Sequence, residues 1–126
     1  MINALGYNVH ITRAQNWYES EENPISLDEW KAYIESDPEM RLDGFAKVMT
    51  PDGILRYENE GLAVWKLHSR HGAGGKAWIN WSRSQIDVKN PDVEMHCKMF
   101  AIATALAARV QGDEGELYDA RGKMVR

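Results

Sequence analysis

Only two stretches of this chain carry a helical period, and the interval between them, residues 45–89, is broken into short β-branched and aromatic runs separated by turn residues. Strands joined by tight turns pair as hairpins, so this interval predicts an antiparallel or mixed sheet. "FAKVMT" and "ILRYE" flank Pro51-Asp52-Gly53, in which proline presets φ and glycine accepts positive φ. "GLAVWKLH" and "KAWINW" flank a histidine- and glycine-rich loop and form a second, longer hairpin. A short strand "QIDVK" follows, with Ile86 and Val88 inward. Ahead of all these, "GYNVHITR" alternates Tyr7, Val9 and Ile11 with Asn8, His10 and Thr12, the two-residue period of a strand with one buried face.

The first helical stretch has a full start signal. Ser26 and Glu29 form a capping box, and Ile25 and Trp30 occupy the staple positions. Leu27, Trp30, Tyr33 and Ile34 then share one face over Leu27 to Ser36, and Asp37-Pro38 ends the helix because the residue before proline avoids helical φ/ψ. The second stretch opens at Asn90-Pro91, read as a cap and a first-turn proline. Met95, Met99, Ile102, Ala103, Leu106 and Val110 keep the period as far as Gly112, placed to end the helix in a left-handed cap. "GELYD" adds a short strand, and a loose tail follows it.

The predicted order is β-α-β-β-β-β-α-β, an α+β two-layer sandwich with about five to six strands and two helices on one face. The other face of the sheet is expected to be half polar and to carry some of the tryptophans. With 126 residues, no repeat and no linker, the chain reads as one domain, 1–126, with its ordered core at about 5–120. A composition 44% hydrophobic and 27% charged excludes general disorder. The longest nearly apolar run, Met99 to Ala108, is far short of the roughly 20 residues that cross a bilayer. One cysteine, Cys97, and no signal-like segment after Met1 point to the cytoplasm. Cys97 is expected in the core or at its boundary, and Met95, Met99 and Met124 are read as packing residues.

Charge is unevenly spread beneath a net −4: residues 1–60 carry −7, residues 61–90 carry +4, and residues 91–126 carry −1. Nine carboxylates lie between Gln15 and Asp43 against only Lys31 and Arg41. Such a segment disfavours nucleic acid, whose phosphates need a basic face, and suits a basic protein. Trp17 and Tyr18 beside Glu19, Glu21 and Glu22, with Asp37 and Glu39 further on, form a candidate anchor and rim for that partner. The loop holding His68, Arg70, His71 and Lys76 is a candidate second contact.

The same loop also carries groups capable of chemistry. "HGAGGK" is not a phosphate loop, because alanine follows the lysine and a strand follows the alanine. Two histidines on a loop are too few for a metal, and His10 or His96 would have to join His68 and His71 in space. General acid–base catalysis by His10, His68 and His71 with Arg70 and Lys76 defines the alternative reading, a small hydrolase or nuclease-like enzyme. No nucleophile elbow or paired-carboxylate motif accompanies it, so neither a catalytic residue, a cofactor nor a metal is assigned. A third reading is a homodimeric module that buries the exposed face of its sheet.

The motifs "GYNVHITR", "EWKAYIESDPE" and "QGDEGELY" resemble those of a family of small bacterial proteins with a G-Y-x-[LV]-H-I-T-R start, an E-W-x-x-[YV]-x-x-[SD]-D-P-E helix and a Q-G-D-E-G-E-x-Y end. The resemblance runs from Gly6 to Asp119. Small acidic cytoplasmic bacterial proteins of this kind include immunity proteins, which implies a non-enzymatic binding protein, monomer or homodimer. It would neutralise a cognate toxin, the effector of a contact-dependent or type VI secretion system, with no nucleic acid and no membrane as partner.

Overall fold

A computed structural model of the chain describes residues 7–69 and 77–125, and Ala46 and Val48 by their backbone alone. It is an α+β protein dominated by one large antiparallel sheet. The strands are β1 (Asn8–Thr12), β2 (Met40–Leu42), β3 (Phe45–Thr50), β4 (Gly53–Glu58), β5 (Ala63–Trp65), β6 (Ala77–Ser82), β7 (Gln85–Lys89), β8 (Arg109–Gly112), β9 (Leu117–Tyr118) and β10 (Met124–Val125). Helices α1 (Leu27–Ser36) and α2 (Val93–Ala105) and a 3₁₀ segment, Trp17–Glu22, complete it. Eight strands form the main sheet in the order β10-β9-β8-β1-β7-β6-β5-β2, so the expectation of five to six strands was too low. The additional short strands, β2 and β10, are drawn in by neighbours: Met40 pairs with Trp65, and Met124 with Tyr118. The tail expected to be loose is therefore paired along Met124–Val125.

Helix α1 begins and ends where its sequence predicts. Ser26 accepts from the Glu29 N–H while the Glu29 carboxylate accepts from the Ser26 N–H, and Asp37 is the extended C-cap. Helix α2 departs at both ends. Asp92, not Asn90, is its N-cap, its carboxylate accepting from the Met95 N–H at 2.8 Å. Asn90 takes a positive φ of 48° and donates its N–H to Tyr7 O.

The helix stops at Ala105 and the chain turns at Ala107, φ 56°, into β8, so Val110 is a strand residue rather than a helical one. Leu106 and Val110 are both buried, and Val110 is paired with Ile11 as a strand residue. An alanine takes the left-handed conformation, which opposes helix continuation without the glycine that would have signalled it. The hairpin β3–β4 turns at Gly53, φ 126°, as its sequence predicts.

Core and polar positions alternate along the strands. Val9 and Ile11 of β1, Ile79 of β6, Ile86 and Val88 of β7 and Val110 of β8 pack with Trp30 and Ile34 of α1 and with Met95, Met99 and Ile102 of α2. His10, Thr12, Gln85, Asp87 and Gln111 occupy the opposite positions of the same strands, as the pairings His10↔Asp87 and His10↔Gln111 require. Met124 and Cys97 are exposed, contrary to expectation, because β10 lies at the sheet edge and Cys97 lies off the buried stripe of α2. No helix among the described residues is long and apolar enough to cross a membrane.

Candidate functional site

The sheet face opposite the helices is closed at β1 by the 3₁₀ segment, and beneath it His10 lies 3% exposed. Its Nδ1 meets Asp87 Oδ1 at 2.5 Å, directly across the β1–β7 pair, and its Nε2 meets Asp113 Oδ1 at 2.8 Å, just past β8. Trp17 stacks on the imidazole with centroids 4.2 Å apart and 12° between planes. The indole is itself tethered: its backbone N–H donates to Gln111 Oε1 at 2.6 Å and its Nε1 donates to Asp113 O at 3.2 Å. Around them Thr12, Ser20 and Gln85 form a buried hydroxyl and amide chain, with Thr12 to Ser20 at 2.6 Å and Ser20 to Gln85 at 2.8 Å.

Burial, the largest single influence on His10, pulls its pKa down, but the hydrogen bonds and charges of Asp87 and Asp113 together outweigh it and hold the pKa above the ordinary histidine value. A carboxylate on each ring nitrogen favours the protonated ring and occupies both nitrogens, an arrangement suited to clamping the strands together.

His68 lies on the other side of the sheet. It is buried beside the start of α2, with Nε2 2.8 Å from Asp92 Oδ2 and 3.5 Å from Glu94 Oε1, and it stands edge-on to Trp65. The ligand atoms of His68, Asp92 and Glu94 lie within 4.8 Å of one another. Asp92 Oδ1 caps the helix, and Glu94 is held by Ser69, whose hydroxyl and N–H donate to Oε1 at 2.9 Å and Oε2 at 3.0 Å. A turn further along α2, Lys98 Nζ is bound by Asp37 Oδ2 at 2.8 Å and Glu39 Oε1 at 2.9 Å. Trp65 Nε1 also donates to that Glu39 oxygen. Tyr33 OH donates to Asp37, and burial together with that carboxylate pushes the phenol pKa up. Burial pulls the Asp37 pKa upward, but the bonds from Lys98 and Tyr33 hold it below the usual carboxylate range.

The residues singled out from sequence thus fall into separate places. Tyr18 is 68% exposed, and Glu21 and Glu22 are exposed at the end of the 3₁₀ segment. Glu19 is half-buried and accepts from Asn16, and Trp17 is half-buried over His10. Asp37 and Glu39 are held by Lys98 on the helix side, away from that rim. His68 is buried, and Arg70, His71 and Lys76 lie outside the described residues. His10 and His68 do not meet, since His68 is bonded to the cap of α2 and α2 packs on the face opposite His10.

Sequence reading missed Asp87, Asp113, Asp92, Glu94 and Lys98 as partners of these groups. Only Asp87 carried a usable signal, because its alternation with Ile86 and Val88 puts it on the polar face of its strand.

Comparison with known proteins adds no assignment: no family model, no curated protein and no solved structure matches the chain. The site must therefore speak through its own geometry, and one exposed element dominates what remains. Hairpin β3–β4 stands outside the main sheet, and every residue of β4 is exposed. Met49 at 78%, Ile54 at 64% and Leu55 at 59% exposure lie on it, along with Tyr57. The Tyr57 hydroxyl accepts from Asn80 Nδ2 at 3.3 Å. Asn80 pairs with Asp87, so the base of the hairpin reaches the same sheet face that carries His10 and the 3₁₀ segment.

Proposed function

We propose that this chain is a non-enzymatic binding protein of the bacterial cytoplasm, an immunity protein that neutralises a cognate toxin by direct contact. The toxin would be the effector of a contact-dependent or type VI secretion system. The observation that carries the reading is hairpin β3–β4, which presents Met49, Ile54, Leu55 and Tyr57 to solvent. A lone two-stranded ribbon is marginal in water, and this one exposes apolar side chains on both faces, Met49 with its cross-strand partner Ile54 on one and Leu55 with Tyr57 on the other, which favours a covering partner. Tyr18, Glu21 and Glu22 supply an aromatic anchor and an acidic rim, which steer a basic toxin domain by electrostatic attraction. The alternative, a small hydrolase or nuclease-like enzyme using the His68/His71 loop, gains nothing from His10, whose two ring nitrogens face Asp87 and Asp113 and which lies away from His68.

The test is co-purification with the product of the adjacent gene, followed by calorimetry. Tyr57→Asp and Leu55→Asp are expected to weaken the complex at least ~10-fold, and Glu21→Lys with Glu22→Lys to slow association and flatten its salt dependence. Unchanged affinity in both sets would reject the assigned surface. A partner that binds but is not inhibited would reject the immunity role.

A further inference from the structure

The side-chain cluster at the start of α2 has the chemistry of a cation site. His68 supplies an imidazole nitrogen, and Asp92 and Glu94 supply one carboxylate oxygen each, all within 4.8 Å of one another. We propose that His68, Asp92 and Glu94, the three ligands that the described residues supply, bind a first-row divalent metal ion of the zinc type.

The donor set fits such an ion. One imidazole and two carboxylates suit borderline cations, and three protein ligands with an open fourth position are a recurrent zinc arrangement. Ligand atoms about 2.0 Å from a tetrahedral ion stand roughly 3.3 Å apart. His68 Nε2 is 3.5 Å from Glu94 Oε1 and 2.8 Å from Asp92 Oδ2, so the second pair must open slightly, while the Asp92 and Glu94 oxygens, within 4.8 Å of each other, must settle at the same separation. Because metal ligands must be free of their protons, acidification should weaken binding.

The supporting bonds argue further. Asp92 uses Oδ1 to cap the helix through the Met95 N–H, which leaves Oδ2 turned toward His68. Glu94 is oriented by both the N–H and the hydroxyl of Ser69. The His68 ring is set against the edge of Trp65, with centroids 5.6 Å apart. Each ligand is therefore positioned by a bond or packing contact outside the trio, as ligands of metal sites are. The α2 macrodipole opposes a cation at this end, so the affinity should fall below that of a four-ligand structural site.

The test uses the full chain, stripped with a chelator and titrated with zinc sulfate in a calorimeter, with the total tryptophan fluorescence, to which Trp65 contributes, followed in parallel. One zinc per chain is expected, with the emission changed on saturation. Asp92→Asn keeps a good helix cap while removing the charge, and Glu94→Gln is equally mild, so both variants should fold and bind at least ~10-fold more weakly. His68→Gln should not bind at this site. Cys97→Ser should bind as the unmodified chain does. The proposal is overturned if the unmodified chain takes up no zinc, if Asp92→Asn and Glu94→Gln bind undiminished, or if Cys97→Ser abolishes binding.

Discussion

His10 Nε2 and Asp113 Oδ1, 103 residues apart in the chain, are joined at 2.8 Å, and this contact ties the first strand of the sheet to the turn after β8. With Asp87 on the other ring nitrogen, the histidine is stabilised as a cation. A group whose folded pKa is raised contributes stability that is fully present below its unfolded pKa, about 6.5, and lost as pH rises through the folded pKa. The urea midpoint of the protein is therefore expected to fall on the alkaline side of pH 6.5, and His10→Gln should remove that fall. An unchanged alkaline slope in the variant would refute the clamp.

His96 has the opposite sign. Burial holds its pKa below the ordinary value, with the charge of Asp92 only partly offsetting it, and its Nδ1 is buried with no hydrogen-bond partner among the described residues. The unfolded chain takes up a proton that the folded chain refuses, so stability should drop as pH falls below about 6.5. His96→Leu is predicted to flatten that acid-side loss and to be neutral or stabilising by up to about 1 kcal/mol at pH 7, because it removes an unsatisfied buried polar atom. Thermal melts between pH 5 and 7 would measure it.

Lys98 is 9% exposed and its ammonium is shared by Asp37 and Glu39. Lys98→Met leaves the Asp37 carboxylate desolvated and without its cation, and should destabilise the fold by about 3 kcal/mol in denaturant titration. Adding Asp37→Asn should recover part of the loss, since the uncompensated charge is then gone. A double variant as unstable as the single one would show that the packing of the lysine stem, not its charge, is what matters.

Gly61 allows close approach of two segments: a Cβ there would stand 2.5 Å from Trp81 Cβ, a contact made with the root of a side chain rather than a movable end. The neighbouring bond from Trp30 Nε1 to Gly61 O at 2.8 Å fixes the same backbone from the core side. Gly61→Ala should destabilise by about 2 kcal/mol, read from the shift of the melting temperature. Gly115→Ala, where no atom lies within 4 Å but φ is +89°, should lose about 1 kcal/mol through backbone strain alone.

Much of the local structure was legible in the sequence, and the reason is range. The capping box at Ser26 and Glu29, the Pro51-Asp52-Gly53 turn and the alternation of Val9 and Ile11 each involve residues a few positions apart, so sequence by itself determined α1, the β3–β4 hairpin and β1. Where two local structures bury the same residues, tertiary pairing decided: Val110 fits a helix stripe, yet the hydrogen bonds of β1 took it into β8. Tertiary structure alone also decided the partners of the histidines. His10 is buried because the 3₁₀ segment folds over it and the β1–β7 register sets Asp87 opposite, while His68 meets α2 rather than His10. Those outcomes depend on strand order and register across the whole sheet, which no short stretch of sequence encodes.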